Sequence, residues 1–170
     1  AGQVIEVDGL EYVGLDVLPG QNVDVVGDAH ALDEHFGPGT FDYIYSQYTF
    51  EHLLMPWKVA LAMNTVMKPG GLALIGTHQT VGHHDMPWDY WRFSQDAWKG
   101  LFNQHTGFEV VKTEYTEPVF IVPFYNSDWH DGFEGAAGFY GSYVIVRKIG
   151  AAQERWIGSP RTVVRDAYPE

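Results

Sequence analysis

The residues best suited to chemistry in this sequence are histidines close to carboxylates. One group lies between residues 78 and 85, where His78, His83, His84 and Asp85 fall within eight residues. Imidazole and carboxylate groups are common ligands of transition metals. Adjacent histidines rarely reach the same ion, however, and no predicted helix sets two of these side chains four residues apart. We therefore predict no metal site, and a metal-dependent hydrolase built on this stretch is a weaker alternative.

Another candidate is His52, which directly follows Glu51. The pKa of an unperturbed imidazole lies near neutrality, so His52 is suited to act as a general base. In the other interpretation, His52 is a hydrogen-bonded packing residue at the entry to a helix. The residue types alone leave both interpretations open.

Aromatic residues surround a single arginine in the segment Met86 to Ser94. In one interpretation this segment covers the site, and Tyr90 and Arg92 orient a substrate. In the other, Ser94 caps a helix predicted from Gln95 to Gln104, and the aromatic residues pack that helix down.

Two acids end short predicted strands near the start of the chain. Asp16 ends the strand that begins at Tyr12, and Asp28 ends the strand that begins at Val23. A carboxylate at a strand end can accept two hydrogen bonds from a diol. The alternatives are a solvated acid at Asp16 and a cap of the short segment Ala29 to His35 at Asp28.

A strand–helix–strand unit from Phe41 to Gly76 positions the central candidates. Phe41 to Tyr45 has the composition of a strand, Pro56 suits a first helical turn, and apolar residues then recur at helical spacing. The turn at residues 68–71 predicts a helix end with a left-handed glycine. The unbroken apolar run Leu72 to Ile75 predicts a strand covered on both faces, and such crossovers make parallel sheets.

Flanking segments predict further strands. Asp8-Gly9 between Gln3–Val7 and Leu10–Leu15 predicts a local β-hairpin. Gly107 to Tyr115 and Phe139 to Lys148 have strand composition, and the segment between them is expected to be an excursion rich in aromatic residues, Gly and Pro.

Three stretches of the central unit resemble a known family. Phe41 to Ser46, Phe50 to Leu53 and Val66 to Gly71 are similar, in order and spacing, to the fourth strand, following helix and fifth strand of class I S-adenosylmethionine (SAM)-dependent methyltransferases. The resemblance is strongest to the small-molecule "type 11" subgroup. It implies a Rossmann-like α/β/α sandwich of three layers, with a mostly parallel sheet and an antiparallel last strand. It also implies methyl transfer from SAM to a small-molecule acceptor, with S-adenosylhomocysteine as product.

The resemblance assigns roles to individual residues. Asp16 with Val17 would hold the ribose of SAM, Asp28 and Ala29 would lie at the adenine, and Ser46 and Gln47 would lie at the methyl end. On the acceptor side, the catalytic candidates it implies are His52, His78, Tyr90 and Arg92.

One feature of the family has no counterpart here. Its glycine-rich loop normally precedes the strand that begins at Tyr12, but no GxGxG pattern lies there, and eleven residues cannot hold a strand, loop and helix. We therefore expect a chain truncated at its N-terminus relative to the family. The alternative function is a non-catalytic binding or scaffold module of the same fold that has lost cofactor binding.

The composition of the chain excludes several classes of binding partner. A net charge of −12 argues against binding to nucleic-acid phosphates, and the absence of cysteine excludes disulfides. No apolar run approaches the roughly 18–20 residues of a membrane helix. We expect a cytoplasmic protein with one domain over residues 1–150, whose partner is a small molecule rather than nucleic acid or a membrane. The tail 151–170 is either a partly ordered extension or a contact in a homodimer.

Overall fold

The fold is a mixed sheet with helices packed against it, and the computed structural model describes residues 8–122 and 137–163. The strands are β1 (Leu15–Asp16), β2 (Val25–Val26), β3 (Phe41–Gln47), β4 (Met67–His78), β5 (Phe108–Phe120) and β6 (Ala137–Lys148). The α-helices are α1 (Leu32–His35), α2 (Pro56–Val66), α3 (Gln95–Leu101) and α4 (Pro160–Val163). Short 3-10 helices span Ala29–Ala31, Phe50–His52 and Gln104–Thr106.

The main sheet of the described residues has the strand order β3-β4-β6-β5. β3 pairs in parallel with β4, while β6 lies antiparallel between β4 and β5. β3, β4 and β5 therefore run in one direction and β6 in the other. The predicted antiparallel last strand is therefore confirmed, but the described part of the sheet is mixed rather than mostly parallel, since only one of its three strand pairings is parallel. β1 and β2 form a separate parallel pair.

One face of the main sheet carries the core. Val59, Met63 and Val66 of α2 pack against Ile75 of β4 and Trp98 of α3 in one buried cluster. This arrangement follows from the helical spacing of the apolar residues in α2, which was predicted correctly.

The opposite face of the sheet is open in the described residues. The side chains of Tyr43 and Leu74 are 59% and 37% exposed, whereas Ala73 and Ile75 are fully buried. Successive side chains of a strand point to opposite faces, so an apolar run alone does not fix two-sided burial. The prediction that Leu72 to Ile75 is covered on both faces is therefore wrong, and the described residues make two layers instead of three.

Helix α2 begins at Pro56 as predicted but ends differently. The residue after it, Met67, is already extended, and β4 starts there rather than at Leu72. Gly70 does adopt a left-handed φ of 80°, but within an irregularity of the β3–β4 register. Lys148 of β6 caps the helix instead, since its Nζ donates to the carbonyls of Asn64 and Met67 at 2.6 and 2.8 Å.

The start of the chain departs from the predicted hairpin. Gln3–Val7 lies outside the described residues, and 10–14 forms no strand. Leu15–Asp16 pairs in parallel with Val25–Val26. The predicted hairpin strand Leu10–Leu15 is therefore wrong over most of its length.

Two predicted helix caps are confirmed. Asp28 Oδ1 accepts the His30 N–H at 2.8 Å, and Ser94 Oγ accepts the Ala97 N–H at 3.2 Å. α3 ends at Leu101, three residues earlier than expected, because Asn103 caps the next turn.

The later segments are partly described. β5 extends to Phe120, five residues past the predicted end, and residues 123–136 of the predicted excursion lie outside the described part. The described start of the tail packs back on α2: Ala152 N donates to Asn64 Oδ1 at 3.1 Å, and Trp156 packs edge-on against Trp57. Within residues 8–122 and 137–163, no helix is long and apolar enough to span a membrane.

Candidate functional site

The candidate site lies where the parallel strands β3 and β4 end. Tyr48 follows β3 with a left-handed φ of 53°, and its N–H donates to the Gly76 carbonyl at 2.9 Å. Non-glycine residues seldom adopt this conformation, and such strain clusters at functional sites. The turn feeds directly into the 3-10 helix that carries Glu51 inward.

Glu51 is a fully buried carboxylate at the centre of the site. Its Oε2 accepts a hydrogen bond from Thr77 Oγ1. Its Oε1 lies 3.4 Å from His78 Nε2 and 3.9 Å from His52 Nε2, and makes no hydrogen bond within the described residues. A buried carboxylate oxygen without a close partner is costly, so this atom is poised for a ligand or a proton.

His78 ends β4 and is packed between two tyrosines. Its ring stacks on Tyr48 at 4.7 Å between centroids and meets Tyr140 edge-on at the same distance. The Tyr140 main chain lies beside the ring, but Nδ1 makes no hydrogen bond of normal geometry. Burial lowers the pKa of His78, and Glu51 opposes that shift only in part. The imidazole is therefore neutral at pH 7.

His52 is oriented by the main chain and stays partly exposed. Its Nδ1 lies 2.8 Å from the Trp88 carbonyl oxygen. A carbonyl can only accept, so Nδ1 carries a proton, and in the neutral tautomer that this contact selects the lone pair lies on Nε2. Nε2 faces Glu51 Oε1 and Asp85 Oδ2, each at 3.9 Å.

The segment after β4 folds over these groups and is fastened to them by its main chain. The Tyr90 N–H donates to the Glu51 carbonyl at 2.8 Å, and the Phe93 N–H donates to the His78 carbonyl at 2.9 Å. The His84 ring meets both His52 and His78 edge-on, at 5.0 and 5.2 Å between centroids. The segment thus adds a third imidazole to the site.

Arg92 and Asp89 hold this segment in shape. Arg92 Nη1 and Nη2 donate to the two carboxylate oxygens of Asp89 at 2.5 and 2.8 Å. Its other donors reach the carbonyls of Val81, Gly82 and Trp91. The hydrogen bonds from Arg92 hold the pKa of Asp89 well below its usual range, and the same contact raises the pKa of Arg92.

The predicted acceptor-side residues therefore separate into two kinds. His52 and His78 lie together around Glu51. The Arg92 donors are all committed to the loop, and burial raises the pKa of Tyr90, which keeps its phenol protonated. Glu51 was not predicted to be the common partner of the two histidines, although a parallel pairing of β3 and β4 could have indicated that Glu51 follows one strand end and His78 the next.

The predicted cofactor-side residues also separate into two groups. Asp16 Oδ1 accepts the Leu18 N–H at 2.9 Å, and the neighbouring Val17 is 37% exposed. Asp28 caps the following turn and lies 2.7 Å from the ring of His30, whose other nitrogen accepts the Met55 N–H. Ala29 packs against the core cluster.

The second group lies at the end of β3, beside the histidines. Ser46 is half-buried, and the Gln47 side chain bridges the hydroxyls of Tyr45 and Tyr143. Burial is the main cause that raises the pKa of Tyr143 to about 12, with contact to Tyr48 adding to it. Burial also raises the pKa of Tyr45. These phenols are neutral hydrogen-bonding groups at pH 7.

Comparisons with known proteins point to one family. A family model described as a methyltransferase domain matches residues 3–113. No curated protein matches the sequence. A solved SAM-dependent methyltransferase from Archaeoglobus fulgidus is similar in fold, with 17% identity, a TM-score of 0.61, and coverage of 83% of this chain and 77% of that one.

Two further solved structures have a TM-score of 0.54. A putative sarcosine dimethylglycine methyltransferase from Galdieria sulphuraria shares 15% identity, over 82% of this chain and 69% of that one. The 1,6-didemethyltoxoflavin-N1-methyltransferase of Burkholderia thailandensis, solved with 1,6-didemethyltoxoflavin and S-adenosylhomocysteine, shares 16% identity, over 80% and 60%. At such identities the likeness concerns the fold alone.

Proposed function

This chain belongs to the methyltransferase-domain family, and we propose that it transfers a methyl group from SAM to a small-molecule acceptor. The observation that carries the proposal is the position of Glu51, His52 and His78 at the carboxyl ends of the parallel strands β3 and β4. In open α/β sheets, ligands bind in the crevice outside these strand ends.

The ribose end of SAM fits Asp16. This acid is the last residue of the parallel strand β1 and is partly exposed, and only its Oδ1 is used by a hydrogen bond within the described residues. The remaining oxygen can accept from a ribose diol. Asp28 is less available because its carboxylate binds the turn and the ring of His30, so we propose that it shapes the adenine end, where Ala29 lies.

When bound, SAM would supply an electrophilic methyl group on a sulfonium. The task of the protein at the other end is to hold the acceptor and to take its proton. His52 suits this because the Trp88 carbonyl holds Nδ1, so that Nε2 is the nitrogen that accepts a proton in the neutral ring, and because the ring is a quarter exposed. His52 Nε2 would take the proton of the acceptor O–H or N–H as the acceptor lone pair attacks the methyl carbon, and the carbon–sulfur electron pair would leave with S-adenosylhomocysteine.

Glu51 would stabilise the imidazolium that this proton transfer creates. Its Oε1 lies 3.9 Å from His52 Nε2 in a fully buried environment, where charge interactions are stronger than in water. The segment held by Asp89 and Arg92 would cover the acceptor and exclude water.

Isothermal titration with S-adenosylhomocysteine tests the proposal. The wild-type chain should bind, and Asp16→Ala should bind roughly 10-fold to 100-fold more weakly because hydrogen bonds to a charged acceptor are lost. Asp33→Ala removes an exposed acid of α1 and should bind as the wild type does. His52→Ala should also bind, since this side chain serves the acceptor. No binding by the wild type, or equal binding by the Asp16 variant, would contradict the proposal.

The second candidate function is a non-catalytic module of the same fold. The exposed apolar side chains of Tyr43 and Leu74 on the open sheet face support it, because such surfaces mark contacts with other molecules. A folded wild-type chain that binds no S-adenosylhomocysteine would favour this candidate.

A further inference from the structure

Three side chains from three separate segments converge beside the proposed catalytic groups. Glu51 comes from the 3-10 helix after β3, His78 from the end of β4, and His84 from the segment that folds over both. One ligand atom from each lies within 4.8 Å of the other two. We propose that Glu51, His78 and His84 bind a divalent transition-metal ion through one carboxylate oxygen and two imidazole nitrogens.

The distances suit such an ion. With bonds of about 2.1 Å, two ligand atoms of a tetrahedral site lie about 3.4 Å apart. His78 Nε2 and Glu51 Oε1 are separated by 3.4 Å. His84 lies on a loop with its side chain 30% exposed, and its ligand atom lies within 4.8 Å of the other two.

The surrounding hydrogen bonds orient the ligands. Thr77 Oγ1 holds Glu51 Oε2, which leaves Oε1 to face the histidines. His84 Nδ1 lies 3.2 Å from the Gly82 carbonyl and 3.6 Å from Asp89 Oδ2, which leaves Nε2 for the ion. A ligating histidine that gives its other N–H to a carbonyl or carboxylate is the usual second layer of a metal site.

A bound ion would also give a partner to Glu51 Oε1, whose burial is otherwise unfavourable. Glu51 Oε1 is fully buried and has no hydrogen bond in the described part of the chain. A buried carboxylate is stable only when paired, and a metal ion provides that partner. The neighbouring imidazoles in their neutral form offer lone pairs, as metal binding requires.

Only one of the two adjacent histidines, His84 and not His83, belongs to the proposed metal site. The sequence of residues 78–85 alone predicted no metal site, because adjacent histidines seldom bind the same ion. In the structure His78 and His84 belong to the cluster while the His83 side chain is 81% exposed, and the carboxylate comes from Glu51.

Two imidazoles and one carboxylate leave coordination positions open. This ligand set is typical of Zn²⁺ in hydrolases and of Fe²⁺ in oxygenases. Binding of the ion does not depend on methyl transfer. Its use, to hold the acceptor oxygen whose proton passes to His52, rests on the proposed function; with the ion bound, Glu51 Oε1 would be a ligand of the ion instead of the partner of the His52 imidazolium.

Titration of the untagged, chelator-treated chain with Zn²⁺ tests the site, and the visible absorption of added Co²⁺ reports its coordination. We expect about one ion per chain with micromolar or tighter affinity, and at least roughly 10-fold weaker binding by His84→Ala. His83→Ala is the matched control and should bind as the wild type does. Circular dichroism checks that each variant is folded.

The outcomes separate clearly. No binding by the wild type, unchanged binding by His84→Ala, or equal losses in the two histidine variants would overturn the site. A parallel titration with S-adenosylhomocysteine keeps the two proposals apart: a chain that binds this molecule but no metal overturns the metal site alone, and a chain that binds only metal overturns the proposed function.

Discussion

Replacing Asp89 by asparagine should destabilise the chain through the segment that covers the site. The Asp89 carboxylate is fully buried and accepts hydrogen bonds from both terminal nitrogens of Arg92 and from the His84 main chain. Asparagine has nearly the same shape, but its amide group would set N–H donors against the guanidinium. The Arg92 charge would then remain without its partner.

The size of the effect follows from burial. Removing one partner of a buried ion pair costs about 3–5 kcal/mol, and since the Arg92 side chain is a quarter exposed we expect the lower end, about 3 kcal/mol. For a chain of this size that lowers Tm by about 6–12 °C.

The stability contributed by the Asp89 carboxylate should fall as the pH is lowered. The folded pKa of Asp89 lies well below its usual range, so its stabilisation is complete above the unfolded pKa of about 3.9 and declines as the pH falls towards the folded pKa. The asparagine of the variant does not titrate. The difference in Tm between wild type and variant should therefore be largest near pH 7 and shrink below about pH 4.

Thermal unfolding followed by circular dichroism, at pH 7 and at low pH, measures both effects. Asp96→Asn is the matched control, because Asp96 pairs with Lys99 at the same spacing but its side chain is 85% exposed. Its effect should stay within about 1 kcal/mol. Equal effects of the two substitutions, or a difference for Asp89→Asn that does not change with pH, would refute this reasoning.

Three further substitutions test other contacts. Ser142→Ala leaves the buried Trp98 Nε1–H without its partner at 2.8 Å and should cost about 1–3 kcal/mol in urea unfolding; a loss near zero would contradict this. Asp28→Ala removes the cap and the contact with His30 and should cost about 1–2 kcal/mol in the same measurement, and an unchanged midpoint would argue against the cap. Subtracting the ultraviolet pH titration of Tyr143→Phe from that of the wild type isolates the Tyr143 phenol, which should form no phenolate below about pH 11. Ionisation near pH 10 would contradict the burial of this phenol.

Local signals in the sequence predicted local structure well. Pro56 at the first turn of α2 and the caps at Asp28 and Ser94 were found because their chemistry acts within a few residues. The end of α2 was not, since the group that satisfies its last carbonyls is Lys148, more than eighty residues away. The open face of the sheet was missed because an apolar run in one strand does not reveal what covers it.

The candidate site was predicted in part for the same reason. His52 and His78 stood out by type, but their common partner Glu51 becomes visible only when β3 and β4 pair in parallel with Gln47 opposite Gly76. Arg92 was assigned to an acceptor, whereas its donors serve Asp89 and loop carbonyls. The spacing of this pair, three residues apart, was a local signal that went unused.

Histidine ring NMR during a titration with S-adenosylhomocysteine shows whether this molecule binds at the ends of β3 and β4, because each ring signal reports on its own surroundings. The family resemblance implies that Gln47 lies at the methyl end of SAM, and the next residue, Tyr48, stacks on the His78 ring. Binding at this end of the sheet should give saturable shifts of the His78 and His52 signals, while exposed His105, which faces Gln153, stays unchanged. A titration that leaves His78 and His52 unmoved, or that shifts His105 as strongly, would contradict it.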